Sequence, residues 1–356
     1  MAGTPETLVR PEAMRQYLER LFAATGMNRG DADYCAEALV QSNLWGLDSH
    51  GIMRAPIYLK RLCNGAVKPN PDIRVVRGAS ALEVLDGDTG LGFVVGRRAM
   101  ERAIELATRF NVAAVGVTNS NHFGAAGLYS RMAAAQGMIG IVMTNVGPNL
   151  VAPGGTQPVT GNNPLAISIP TFAEFPYTLD ISLSNVSGGK ILLAIQKGEK
   201  IPFDWGTDKD GRPTDDPSTA FAGLLLPLGG HKGLGLSYMV DILSGVITGG
   251  AFQFGVTSMY KRTDEPSRTG HLMIVINPLI LMTREELGER MAAFSRTVRS
   301  SPMWDKDREM MLPGEIEYRT ETERRAKGMP IPAPLFGELA ELAGRLGVPV
   351  ALSASE

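Results

Sequence analysis

The chain of 356 residues carries four histidines, at positions 50, 122, 231 and 271, and their neighbours differ in the chemistry they allow. His50 stands in Asp48-Ser49-His50-Gly51, with Arg54 one turn further on. An imidazole gives or takes a proton near neutral pH, and a guanidinium can bind both oxygens of a carboxylate. At the start of a helix, Ser49, His50 and Arg54 would set a proton donor beside an anion clamp, with Asp48 or Ser49 as N-cap. His122 lies in Asn119-Ser120-Asn121-His122-Phe123-Gly124, between the end of a predicted strand and the start of a helix. Sheets of the α/β type place ligands at such strand ends. His231 sits in Gly229-Gly230-His231-Lys232-Gly233, a glycine turn opening a helix. Backbone N–H groups there, with Lys232, can cradle a phosphate, although the Walker spacing is missing. His271 alternates into a strand and reads as structural.

Other chemistries lack carriers. Thr207-Asp208-Lys209-Asp210-Gly211 opens like a calcium loop, but no glutamate follows at the twelfth position, so it reads as a turn. The sequence holds no G-x-S-x-G, H-E-x-x-H or C-x-x-C, and no metal site is expected. Cys35 and Cys63, 28 residues apart, read as reduced thiols of a cytoplasmic protein. Lys+Arg 35 against Asp+Glu 37 gives a net charge of −2, which argues against a nucleic-acid partner. No apolar run reaches the ~18 residues of a membrane span, and the first residues do not pattern as a signal peptide.

The elements that must position these residues read as two parts. Helical spacing runs from Pro11 to Thr25. A second helix, capped by Asp31 or Asp33, passes Tyr34, Ala38 and Ser42, and a third starts near Ser49 and ends at Gly65. Beyond the Pro-rich stretch 67–71, strands at 81–85, 112–117, 138–143, 164–169 and 271–276 alternate with helices at 94–110 and 124–137. A helix begun after Gly233 runs to Ile247, and two more cover 283–298 and 335–346. Gly90-Leu91-Gly92 with Gly96 follows a strand and opens a helix, as a Rossmann fingerprint would. The third glycine comes one residue late, and Thr118-Asn119-Ser120-Asn121 offers no acidic residue for a ribose. A standard dinucleotide fold is therefore rejected.

Nine segments in order resemble one family: Asp48 to Gly51, Asn119 to Gly124, Thr144-Asn145, Val151 to Gly155, Asn162 to Ile167, Leu179 to Ser182, Gly188 to Lys190, Gly229 to Gly235 and Pro313 to Glu315. They resemble the malate/L-lactate dehydrogenase family, which includes ureidoglycolate, sulfolactate and diketogulonate dehydrogenases and piperideine-2-carboxylate reductase. The resemblance implies an α/β fold with a mixed-sheet, non-Rossmann NAD(P)-binding domain at 71–282. It also implies a helical N-terminal domain at 1–70, completed by C-terminal helices within 283–350. It implies hydride transfer between a nicotinamide cofactor, NAD ahead of NADP, and a small 2-hydroxy or 2-oxo acid. Reduction of a cyclic imino acid such as piperideine- or pyrroline-2-carboxylate is the alternative. Carried onto this chain, His50 is the proton donor, with Ser49 beside it. His122 takes that role in some members or holds substrate, and Arg54 pairs with the substrate carboxylate. Asn145, Asp180, Ile181, Ser182, His231, Lys232, Gly314 and Glu315 fall in the cofactor-binding motifs. Ser187-Gly188-Gly189-Lys190 departs from the family where relatives commonly carry arginine, and Val146-Gly147 where a serine often follows the asparagine.

A homodimer is expected as well, because segment 144–190 shows little regular structure, yet carries Leu150, Val151, Leu165 and Ile167. So long an irregular stretch would line a site or be covered by another subunit.

Overall fold

The structure is a computed structural model that describes residues 6–349. Its helical part starts with Pro11–Ala24, which has proline in its first turn and buries Met14, Tyr17, Leu18, Leu21 and Phe22 along one face. The second helix, Arg29–Leu44, starts earlier than its apolar pattern announces. Asn28 caps it by accepting the Asp31 N–H, and neither Asp31 nor Asp33 does so. Asp33 is instead held by both ends of the Arg15 guanidinium at 2.9 and 2.6 Å.

The expected third helix is broken in three. Short 3-10 turns at Asp48–His50 and Ile52–Arg54 precede the α-helix Ala55–Cys63, whose first turn holds Pro56. Asn43 makes the kink. Its Oδ1 accepts the Ile52 N–H at 2.6 Å and its Nδ2 donates to Asp48 Oδ1 at 2.6 Å. Only glycine fits at position 51, because a Cβ there would lie 1.9 Å from Asn43 Oδ1. Asp48 caps nothing, contrary to expectation. Its carboxylate is gripped by Arg324 at 2.6 and 3.0 Å, and Ser49 makes no cap bond either.

The C-terminal elements divide. Helix Glu315–Lys327 carries that Arg324 and lies on Arg29–Leu44. Strand Met329–Pro332 pairs antiparallel with Glu6–Val9, and helix Ala333–Leu346 packs on Pro11–Ala24 and Ala55–Cys63. Helix Arg284–Arg299 buries none of its residues and touches Tyr177 instead, through Ser295 Oγ.

The sheet has seven strands, in the order Arg74–Ala79, Leu82–Asp86, Val112–Ser120, Thr269–Ile276, Ile139–Thr144, Leu165–Ile169, Tyr177–Ile181. Within this sheet the strands Leu82–Asp86 and Val112–Ser120 pair in parallel, joined by the helix Gly92–Phe110. The other neighbours are antiparallel. This is the expected mixed sheet and not a doubly wound one. One apolar core reaches from Val9 to Ala343 and joins the helical part to the sheet.

Segment 144–190 is more regular than its composition suggests. It supplies strands Leu165–Ile169 and Tyr177–Ile181 to the sheet, a small pair Leu150–Val151 and Pro158–Thr160, and the start of helix Gly188–Lys197. Leu150 and Val151 are buried within the chain itself, so they call for no second subunit. Asp208 Oδ1 accepts the N–H groups of Asp210 and Arg212, which makes the calcium-like stretch a turn.

Candidate active site

The kinked segment 48–54 faces the end of strand Val112–Ser120, and the two best-placed histidines meet there. The rings of His50 and His122 lie nearly parallel, with centroids 5.9 Å apart. His50 Nδ1 is 3.0 Å from Ser49 Oγ. Burial, and secondarily the charge of Arg54, push His50 down to about 4, so it is neutral in the free protein. Arg54 donates its Nε–H to Ser49 O at 2.7 Å, and its guanidinium lies over the Tyr260 ring at 5.3 Å. Its two Nη groups have no acceptor among the described residues, so the fork is open to an anion.

The His122 loop is held from three sides. Asn121 donates to Thr89 O and Gly90 O, and its Oδ1 accepts from Arg61 Nη2 at 2.9 Å and from Ser267 N–H at 2.9 Å. Gly92 lets the loop lie on the helix start, since a Cβ there would come within 2.3 Å of Asn121 O. The glycines that mimic a dinucleotide fingerprint thus serve close packing behind His122. Tyr58 Oη and Gly124 N–H both reach His122 Nδ1, at 2.6 and 3.2 Å. Burial first, then the charges of His50, Arg54 and His271, holds His122 well below the ordinary histidine range.

His271 is apart from this pair and fully enclosed. Its nitrogens meet Thr144 Oγ1 and Ser120 Oγ, each at 2.7 Å, and its ring stacks on Phe123 at 4.5 Å. Burial pushes it down to about 3.

Apart from Asn145, the residues assigned to a cofactor follow the edge strand Tyr177–Ile181 and the segments bonded to it and beyond it. Pro313 O accepts the Thr178 N–H at 3.1 Å, which sets Gly314 against the strand. Asp180 Oδ2 accepts the Gly127 N–H at 2.8 Å at the start of helix Gly127–Ala135. Burial pushes its carboxyl up to about 6. Past Ile181 and Ser182, Leu183 O accepts the Leu228 N–H, and Asn185 Oδ1 accepts the Gly229 N–H, which brings up the turn carrying His231 and Lys232. Both of these side chains are exposed. Gly189 approaches Ser49, its would-be Cβ lying 4.0 Å from the serine Cβ, and so ties this string to the histidine pair. Two of the assigned side chains are already occupied. Asn145 Nδ2 donates to Asp241 Oδ1 and Ala251 O, and its Oδ1 accepts the Gly270 N–H. Glu315 is held by Arg299 at 3.0 Å, Arg319 at 2.7 Å and the Leu312 N–H at 3.0 Å.

Tyr58, Arg61 and Arg131 also belong to the site and escaped the sequence. Tyr58 follows Arg54 by four residues, a spacing that reads equally well as a buried helix face. Arg131 is the one cation in the small-residue helix Gly127–Ala135. Its Nε is buried without a partner, and its Nη2 lies 3.4 Å from a would-be Cβ on Gly314. Its guanidinium lies over the Trp45 ring at 4.3 Å, so the fold itself holds this cation beside Gly314.

The family model for malate/L-lactate dehydrogenase matches residues 9–340. The chain belongs to the malate/L-lactate dehydrogenase family. It is similar to L-sulfolactate dehydrogenase of Methanocaldococcus jannaschii, 38% identical over 96% of this chain and 98% of that protein. The solved structure of a sulfolactate dehydrogenase from that organism superposes with a TM-score of 0.91 at 37% identity, covering 96% of this chain and 98% of the other. A δ1-piperideine-2-carboxylate reductase from Pseudomonas syringae superposes with a TM-score of 0.84 at 30% identity, over 94% and 99% of the two chains. Relatives named for NADP(+) and for NAD(+) both occur. Membership makes the chain an oxidoreductase, of a family whose dehydrogenases act on hydroxy acids.

Proposed function

We propose that this family member transfers hydride between NAD(P) and a small 2-hydroxy or 2-oxo acid, with His50 moving the proton and Arg54 binding the carboxylate. The observation that carries this reading is the kink at Gly51, which turns a neutral imidazole and an open guanidinium fork toward His122. A bound nicotinamide supplies or takes up the hydride, and the chain binds, orients and moves the proton. A carboxylate seated on Arg54 offsets the positive charge that now opposes protonation of His50, so substrate itself equips the donor. Asp180, Ile181, Ser182, Lys232 and the Gly314-Glu315 turn would hold the cofactor, with His231 beside Lys232 and Asn145 bracing the fold behind. The second oxygen of Asp180 has no partner among the described residues and can accept a hydrogen bond from the cofactor.

A homodimer accompanies this reading, on a different surface from segment 144–190. Helix His231–Asp241 and the π-turn Ile242–Val246 expose Leu236, Met239 and Val246, and Ile247 just beyond them is 67% exposed. An apolar strip of that length suits a second copy better than water. No helix among the described residues is long and apolar enough to cross a membrane. The free thiols of Cys35 and Cys63 suit a cytoplasmic setting.

The test is oxidation of NADH and of NADPH with a panel of 2-oxo acids, piperideine-2-carboxylate and pyrroline-2-carboxylate. Turnover with a 2-oxo acid, and faster with NADH, is expected. Turnover confined to the imino acids would replace this reading by the reductase one.

A further inference from the structure

We infer that Tyr58 is a positioning residue that fixes His122 as the Nε2–H tautomer, making His122 a neutral hydrogen-bond donor to substrate and leaving proton transfer to His50. The inference rests on the function proposed above and adds a division of labour between its two histidines.

One donor at His122 has a fixed direction. The Gly124 backbone N–H points at His122 Nδ1 at 3.2 Å, and a backbone N–H can only donate. Nδ1 presents its lone pair to it, and at 3.2 Å this bond is the weaker of the two restraints on that nitrogen. Tyr58 Oη stands 2.6 Å from the same nitrogen, so its proton points there too. Burial raises the Tyr58 phenol far above its ordinary range, which keeps that proton in place at working pH. The Tyr58 ring is held edge-on to Phe93, with centroids 5.4 Å apart at 85°, and is 1% exposed. Two donors on Nδ1 leave the ring's own proton on Nε2, which has no partner among the described residues.

This tautomer decides what the ring can do. A neutral Nε2–H imidazole can donate a hydrogen bond to a substrate oxygen. Giving up that proton would create an imidazolate, and taking a second one at Nδ1 would turn an N–H against the Gly124 N–H. The titratable and charged groups around the ring oppose a second proton as well: His50, Arg54, Arg61 and His271 each add or can add positive charge, and Tyr58 stays neutral. His50 carries no such constraint. Its Nδ1 meets the hydroxyl of Ser49, which can donate or accept as the ring gains or loses a proton.

Nitrogen-15 NMR of histidine-labelled protein tests this without turnover, with the His122 signals identified from a His122→Gln variant. The expected spectrum shows His122 protonated at Nε2 and bare at Nδ1, unchanged from pH 6 to 8. In Tyr58→Phe, a growing Nδ1–H fraction is expected, with kcat for 2-oxo acid reduction lower by about ten-fold, the worth of one hydrogen bond. The limb of the pH–rate profile set by His50 should stay where it is, because Tyr58 does not touch that ring. An Nδ1–H signal in the unsubstituted protein, or a Tyr58→Phe variant with both spectrum and kcat unchanged, would overturn the inference. Should no 2-oxo acid be turned over, the spectra still decide the tautomer, so failure of the substrate assignment is told apart from failure of this one.

Discussion

His50 and Arg54 work against one another in the free protein and together once an anion arrives. Burial lowers the affinity of the imidazole for a proton, and the guanidinium lowers it further. A substrate carboxylate on the open Nη fork offsets the second effect and adds a negative charge of its own. Arg54→Lys keeps a charge at this place but loses the planar fork, so the substitution is not conservative. We expect KM for the acid substrate to rise by more than about ten-fold, with KM for the cofactor unmoved, in steady-state assays on the variant and the unsubstituted protein. Equal KM values would mean that the carboxylate binds elsewhere. At this scale the sequence was informative where residue type alone carried the meaning. Ser49, His50, Arg54 and His122 were legible as chemistry because each had an unusual neighbourhood. Asn145 and Glu315 were named from motifs, and the fold spends both side chains on its own network. Tyr58 was missed because an aromatic residue at helical spacing reads as core, and only the pairing of Oη with His122 gives it a second meaning.

The kink at Gly51 is the element that makes the site. Apolar periodicity from Ser49 to Leu62 reads as one helix, because the pattern records which side is buried and not whether the backbone turns. Asn43, six residues before Ser49 and in another helix, supplies the bonds that break it, and such a long-range staple leaves no local trace. The same limit hid strand Tyr177–Ile181, which lies at the sheet edge with Leu179 exposed and so lacks an apolar run. Helices at 11–24, 92–110 and 333–346 were legible in contrast, since each buries a continuous stripe. The element with the plainest unmet need is the helix His231–Asp241 with its π-turn. If its apolar strip meets a second copy, Met239→Glu places two charges in that contact, one from each subunit, at a cost of several kcal/mol. Light scattering at micromolar concentration should then report dimers for the unsubstituted chain and monomers for the variant. A dimer that survives the substitution would put the interface on another face.

Across the whole molecule, three histidines are kept neutral by burial, and the fold is thereby short of protons relative to its unfolded chain. His50 at about 4 and His271 at about 3 lie below the unfolded value near 6.5, and His122 is lowered in the same direction. Between these values the unfolded chain binds more protons, so this stability is complete above pH ~6.5 and is lost as pH falls toward the folded values. Asp180, raised to about 6, works in the opposite sense: its contribution is present at low pH and is lost as pH rises through 6. One group against three leaves a net loss of stability from pH 7 to pH 5. Denaturant titrations should show it, and His271→Gln should flatten the slope by about 1.4 kcal/mol per pH unit near pH 5. An unchanged slope would mean that His271 is already charged in the fold.

The same linkage gives the most direct test of the central claim, that an anionic substrate on Arg54 equips His50 with its proton. Calorimetric binding of oxamate, a 2-oxo acid analogue, to the cofactor-loaded protein at pH 6.5 in two buffers of different ionisation enthalpy counts the protons taken up. Uptake is expected in the unsubstituted protein, close to none in His50→Gln, and an undiminished amount in His122→Gln. Binding without proton uptake, or uptake that survives in His50→Gln, would contradict it.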